Sequence, residues 1–264
     1  MLAATRRNWT EAETRLAMRL YFELPFGKLH QRQTDIIALA DLLDRSPSSI
    51  AMKLVNFASL DPAIIGSGRS GLANNSRLDR KIWEEFQADW AGMIETFHEA
   101  ENGTEASNDS AMTSDASFPT SSITAVDSER MALTKLRRGQ DFFRRAVLAN
   151  FDLHCCITGI AEPALLVASH IIPWQSDEQN RLNPRNGLAL SATFDRAFDQ
   201  GLITINENLK VLISNRLLRH DNEPTREMFS KFDGQPIAIP RKLSLDAGAI
   251  CFHNEWARST NSYR

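Results

Sequence analysis

Cysteine is scarce and badly placed for cross-linking. The chain of 264 residues holds three, two of them adjacent (Cys155, Cys156), so no disulfide framework is expected. No Cys-x-x-Cys pair occurs, which removes a structural zinc ribbon. No apolar run approaches the length of a membrane span, so no membrane partner is expected. The opening residues, MLAATRRNWTEAE, lack an apolar signal core and turn polar at once, which makes the cytoplasm the expected location. Strong charge of either sign is missing too: 30 basic and 33 acidic side chains give −3. A global value near neutral does not announce a nucleic-acid binder. Internal repeats are also absent.

What is present is unevenly spread. Residues 1–100 carry 12 basic and 13 acidic side chains, residues 101–130 carry 1 and 6, and residues 131–264 carry 17 and 14. The small positive excess therefore sits in the last part, concentrated at Lys135, Arg137, Arg138, Arg144 and Arg145. A global average can hide such a patch, although a charge run is more often a solvated face.

The segment from Glu101 to Glu129 is rich in Ser, Thr, Asn and Asp and has no basic residue. It cannot bury enough apolar surface to offset its ordering entropy. It reads as a flexible acidic linker over 101–130, dividing the chain into residues 1–100 and 131–264. At 264 residues the chain is long enough for two modest domains.

The first part reads as helical. Thr10 followed by Glu13 has capping-box spacing and opens a helix carrying Leu16 and Leu20. A break follows at Leu24-Pro25-Phe26-Gly27. A second helix is expected near Ile36 to Leu43. Ser46-Pro47 supplies an N-cap and a first-turn proline for a third, Ser48 to Phe57. Trp83, Phe86, Trp90 and Ile94 recur at three and four, the stripe of a fourth packed helix. The short turn Asp44-Arg45-Ser46 between the second and third helices gives a helix-turn-helix pattern. With Trp9-Thr10, Ile37-Ala38 and Leu42 it resembles the Myb/SANT-like three-helix module. On that resemblance Ser48, Ser49, Lys53 and Asn56 would face DNA. A helical packing or oligomerisation domain fits the same pattern.

The second part mixes elements. A basic helix from about Met131 to Asn150 would turn Phe142, Phe143, Val147 and Leu148 inward. A short strand, Leu165 to Ser169, ends at His170. A polar loop, Gln175 to Arg185, leads to a second strand, Gly187 to Leu190. Ser191 can cap a short helix that Gly201 ends. Leu202–Ile205 and Val211–Ile213 form a hairpin around Asn206-Glu207-Asn208. The expected class is α+β: an all-α bundle in front, and two strands with a helix behind.

The stretch SHIIPWQSDEQNRLNPRNGLALSATFDRAFDQG sets His170 at a strand end, Asn186 before the second strand, and Asp195 and Asp199 one turn apart on a helix. Upstream stands Cys156-Ile157-Thr158-Gly159. Downstream stand Phe229, Gly234, Ile239-Pro240 and His253. In this order the residues resemble the HNH endonuclease family, whose fold is a ββα-metal unit, and within it the restriction-endonuclease-like branch. The resemblance covers roughly Arg144 to His253. It implies hydrolysis of DNA phosphodiester bonds with a divalent ion. It makes His170 the general base, a role that an imidazole neutral near pH 7 can fill. It makes Asn186 the residue that braces the loop and so holds the histidine.

The metal side departs from the letters of the motif. Where many relatives have a helix histidine the chain reads Phe194-Asp195. Asp195 and Asp199 fall where colicin-type nucleases place two metal-binding histidines. Residues at i and i+4 share a helix face, so two carboxylates can converge on one ion. Hard oxygen donors favour Mg²⁺ or Mn²⁺. Asp199 could instead cap locally or pair with Arg196 or Arg185. Ser169 occupies a position where relatives often carry a ligand. A hydroxyl is a weak one, so water or a backbone carbonyl would share that side. Arg181 and Arg185 could touch phosphate, or be solvated loop arginines. Trp174 and His154 read as packing and surface residues, and Phe194 and Phe198 as core.

Two readings follow. The first is a metal-dependent DNA endonuclease with helices in front that help select the site, an architecture suited to restriction, other defence or a mobile element. The alternative is a catalytically inactive HNH-fold DNA-binding protein. One HNH centre cuts one strand at a time, so double-strand cleavage would call for a homodimer.

Overall fold

The computed structural model describes residues 7–68, 75–90, 92–94, 96–97 and 125–263, the side chains of 125–136 excepted. It divides into two compact units, Met1–Phe142 and Phe143–Arg264. As far as residue 124 the expected linker lies outside the described residues; residues 125–130 form the start of a helix.

Among its described residues the first unit is helical: α1 (Glu11–Glu23), α2 (Thr34–Leu42), α3 (Pro47–Ala58), α4 (Pro62–Gly66) and α5 (Arg77–Ala88). The Thr10–Glu13 capping box forms with both of its bonds. Glu13 also takes Arg45 at 2.8 Å, so one carboxylate both starts α1 and ties it to the α2–α3 turn. That turn is made by Asp44 at φ 47. Ser46 then accepts from Ser49 N at 3.2 Å, with Pro47 in the first helical turn. The buried stripe Trp83, Phe86, Trp90 and Ile94 is present, but α5 does not run through it. The chain turns extended at Asp89, whose side chain accepts from Gly92 N at 2.9 Å and restarts the helical path. The core is aromatic: Phe22 stacks on Phe86 at 4.4 Å, and Tyr21 sits edge-on to Phe22 at 5.1 Å. Tyr21 is fully buried, and its hydroxyl donates to Asp61 at 2.9 Å.

The second unit is built on α6 (Ala125–Asn150), which begins before the expected Met131 and within which the division between units falls. Then come β1 (Leu166–His170), β2 (Gly187–Ser191), α7 (Ala192–Asp199), β3 (Ile203–Ile205), β4 (Val211–Ile213), α8 (Asn215–Leu218), α9 (Glu223–Ser230) and α10 (Ala247–Thr260). The strands form two antiparallel pairs, β1 with β2 and β3 with β4. Leu166 faces Ser191 at one end of the first ladder and His170 faces Gly187 at the other. Mixed helix and small antiparallel sheets make the chain α+β.

Helix α7 leaves β2 directly and packs back on β1 and β2 through Phe194, Ala197 and Phe198. Ser191 takes the N-cap position, but its side chain makes no capping bond; the expectation of a serine-capped helix is corrected there. Gly201 at φ 60 ends it, its N–H returning to the Phe198 carbonyl at 2.8 Å. On the other side α6 sends Phe143, Val147 and Leu148 into the same core. It comes so close that a Cβ on Gly187 would lie 2.3 Å from Val147 Cγ2 and 2.9 Å from Phe143 Cζ. The glycine is therefore needed for approach, not for its backbone angle.

Candidate active site

His170 closes β1 with its ring half-buried. Its Nε2 lies 2.8 Å from the carbonyl of Arg181. A carbonyl only accepts, so Nε2 carries the hydrogen and Nδ1 keeps the free lone pair. Phe143 covers one ring face at a centroid distance of 4.0 Å and an interplanar angle of 4°. Trp174 meets the ring edge-on at 5.5 Å. Burial pushes the imidazole below its ordinary pKa, opposed by the Arg181 carbonyl and the Asp195 carboxylate. The result is a neutral imidazole with one nitrogen committed and the other available.

The loop between the strands is fixed from within. Asn186, 2% exposed, accepts Ile172 N–H on Oδ1 at 2.8 Å. Its Nδ2 donates to the carbonyls of Ile172 at 3.3 Å and Asn180 at 3.4 Å. Upstream, Asn183 Nδ2 donates to Asn180 Oδ1 at 3.1 Å, and Asn180 Nδ2 to Asp177 Oδ2 at 2.7 Å. Asp177, Asn180, Asn183 and Asn186 thus form a ladder, and it frames the Arg181 carbonyl. Sequence reading found only its last rung, although the repeat of Asx residues at every third position was there to be seen.

Asp195 is half-buried and Asp199 exposed on α7. Asp195 is near enough to pull on the His170 imidazolium and to repel Asp199. The Asp199 carboxyl is raised above its ordinary pKa by desolvation first and the Asp195 charge second, with Arg196 opposing. Asp199 also ends α7, where the helix dipole disfavours negative charge. No ion pair to either carboxylate forms among the described residues. Ser169 is 3% exposed and its Oγ has no hydrogen-bond partner. Among the described residues no cluster of three or more His, Cys, Asp or Glu side chains gathers as an ion site.

Arg181 donates through Nε to the Trp174 carbonyl at 2.9 Å and through Nη2 to Glu178 at 2.9 Å, so its guanidinium organises the loop. Arg185 Nε donates to the Ser244 carbonyl at 3.1 Å. On α3, Ser48 is exposed, and Ser49 and Asn56 are half-buried. Lys53 does not face solvent, and the expectation that it would face DNA is corrected. It is 4% exposed and holds Asp79 at 2.6 Å, under the ring of Trp9. A buried ammonium needs its carboxylate, so it has no charge to offer a phosphate.

Two antiparallel strands followed by a helix, with a histidine at the strand end and carboxylates on the helix, make a compact ββα unit. Residues 155–206 match the HNH endonuclease family, a span that includes His170, Asn186, Asp195 and Asp199. That span is similar to HNH endonuclease domains, a likeness that points to nuclease chemistry on DNA. No curated protein matches the chain. No helix among the described residues is long and apolar enough to cross a membrane.

Proposed function

We propose that the protein is a metal-dependent endonuclease that hydrolyses DNA phosphodiester bonds with His170 as general base. The observation that carries this reading is the Nε2–H bond to the Arg181 carbonyl, which leaves Nδ1 free to take a proton from water. As that proton moves to Nδ1, the water oxygen bonds to phosphorus and one P–O ester bond breaks. The leaving oxygen takes a proton from solvent water and His170 later returns its own to solvent, so the products are a phosphomonoester and an alcohol. Asn186 touches no reacting atom in this scheme; it positions the loop that orients His170.

The α7 carboxylates and the Ser169 hydroxyl fit a hard divalent ion, Mg²⁺ or Mn²⁺. They are oxygen donors, two are like charges that repel one another and form no ion pair among the described residues, and the third is a buried oxygen without a partner. With fewer than three strong ligands, water and substrate oxygen would complete the shell. Such an ion supplies neutralisation of charge on the phosphorane and the leaving oxygen.

Site selection by the first unit is part of the proposal. It is supported by the pairing of α2 with α3 across the Asp44 turn. Since Lys53 is taken by Asp79, contacts from α3 would come from uncharged side chains such as Ser48. A restriction or defence role in the cytoplasm, and a homodimer for double-strand cutting, complete the reading. The small set of strong ligands favours the second reading, an inactive HNH-fold DNA binder.

Nicking of supercoiled plasmid with and without Mg²⁺ or Mn²⁺ decides between them. Metal-dependent nicking that falls by ~10²–10⁴ in His170→Ala supports the enzyme with His170 as its base. Absence of nicking with either ion leaves the binder. Nicking by His170→Ala at the wild-type rate removes His170 as base.

A further inference from the structure

We infer that Phe143, on α6, is a positioning residue for His170, and that Gly187 is the gap through which it reaches the ring. The inference rests on the general-base reading above. Several observations of the second unit carry it. His170 and Gly187 are partners across the β1–β2 ladder. The space a side chain would take at Gly187 is filled by Phe143 and Val147, at 2.9 Å and 2.3 Å from a Cβ built there. The Phe143 ring, 2% exposed, lies flat on the imidazole at 4.0 Å and 4°.

The geometry explains why a hydrogen bond alone is not enough. The bond from Nε2 to the Arg181 carbonyl fixes one ring atom, but the imidazole can still swivel about that line. A parallel ring on one face and the Trp174 ring standing perpendicular to the imidazole remove the swivel. Together they aim the Nδ1 lone pair in one direction. A base must be held close to its productive direction, and a misplacement of about 1 Å can cost ~10²-fold in rate. Phe143 touches no reacting atom in this account, so its loss should lower kcat and leave KM alone.

The test uses the full chain. Phe143→Leu keeps an apolar side chain and removes the flat ring; Gly187→Ala keeps the ring and pushes it aside. Each, checked for folding by thermal melting, should lower kcat for plasmid nicking by ~10–100-fold with KM within about twofold. His170→Ala is run in parallel. If His170→Ala cuts normally, the general-base reading fails. If His170→Ala is inactive while folded Phe143→Leu keeps the wild-type kcat, or loses only KM, the positioning role alone is overturned. A second measurement needs no variant to fold apart from the one used for assignment. In the wild-type protein, nuclear magnetic resonance should show the His170 carbon-bound protons shifted upfield by the Phe143 ring and a single Nε2–H tautomer, assigned by their loss in His170→Ala. Unshifted protons or a mixture of tautomers would overturn it.

Discussion

Asn186 holds both polar groups of Ile172: its Oδ1 accepts the Ile172 N–H at 2.8 Å, and its Nδ2 donates to the Ile172 carbonyl at 3.3 Å. Its own carbonyl accepts the Ile171 N–H at 3.0 Å. The residues just after His170 are thus clamped to the residue just before β2. Asn186→Ala should leave the Ile172 groups without partners and cost ~1–3 kcal/mol of stability. The nicking rate should fall with it while His170 itself is intact. Chemical denaturation and plasmid nicking on the same preparation check this; an unchanged rate would mean the clamp does not serve the histidine.

Asp199 gives a prediction of opposite sign for stability and function. Without metal its charge is disfavoured by desolvation, by Asp195 and by its place at the end of α7. Asp199→Asn should therefore melt higher than wild type in chelator at neutral pH. With Mg²⁺ or Mn²⁺ added, wild type should gain stability by binding and the variant should gain less, with slower nicking. Equal metal-induced shifts in the two proteins would remove Asp199 as a ligand.

How much of this was legible in the sequence depended on range. Local chemistry was readable. The Thr10–Glu13 box, the Ser46-Pro47 start of α3 and the β3–β4 hairpin form close to where their residues place them. The constellation of His170, Asn186, Asp195 and Asp199 was readable as residue types in order. Non-local partnerships were not. Nothing near Phe143 in the chain shows that its ring will lie on His170, and nothing near Lys53 shows Asp79 waiting on another helix. A lysine is read as exposed because burial of its charge is costly, and only the fold reveals the carboxylate that offsets the cost. The start of α6 at Ala125 was hidden by the polar composition around it.

His253 predicts how the second unit responds to acid. It is 3% exposed, stacked on Phe198 at 3.6 Å, and hydrogen-bonded to Thr204 Oγ1 at 2.8 Å and to the Phe198 carbonyl at 3.2 Å. Burial pushes its pKa down to about 4, whereas the unfolded imidazole titrates near ~6.5. Between those values the unfolded chain binds the extra proton, so stability falls as pH drops through the window. The loss amounts to about 3 kcal/mol when complete. His253→Gln should be less stable at pH 7 but lose less between pH 6.5 and 4. Denaturant titrations of both proteins across that range test it, and parallel pH curves would show that another group governs the loss.

Lys53 separates structure from DNA contact in the first unit. Its ammonium and the Asp79 carboxylate, 4% and 1% exposed, are 2.6 Å apart, and Asp79 also closes the capping box that starts α5. Removing one partner of a buried pair leaves the other charge uncompensated, a loss of ~3–5 kcal/mol. Lys53→Met should therefore destabilise the protein strongly, and Lys53→Met/Asp79→Asn should recover much of the loss because no charge is then left buried. A DNA-contacting lysine would behave otherwise: the single variant would keep its stability and lose affinity for duplex DNA, and the second substitution would restore nothing. Denaturation midpoints together with duplex binding for the single and double variants distinguish the two, and a stable Lys53→Met protein with weakened binding would return this residue to the DNA interface.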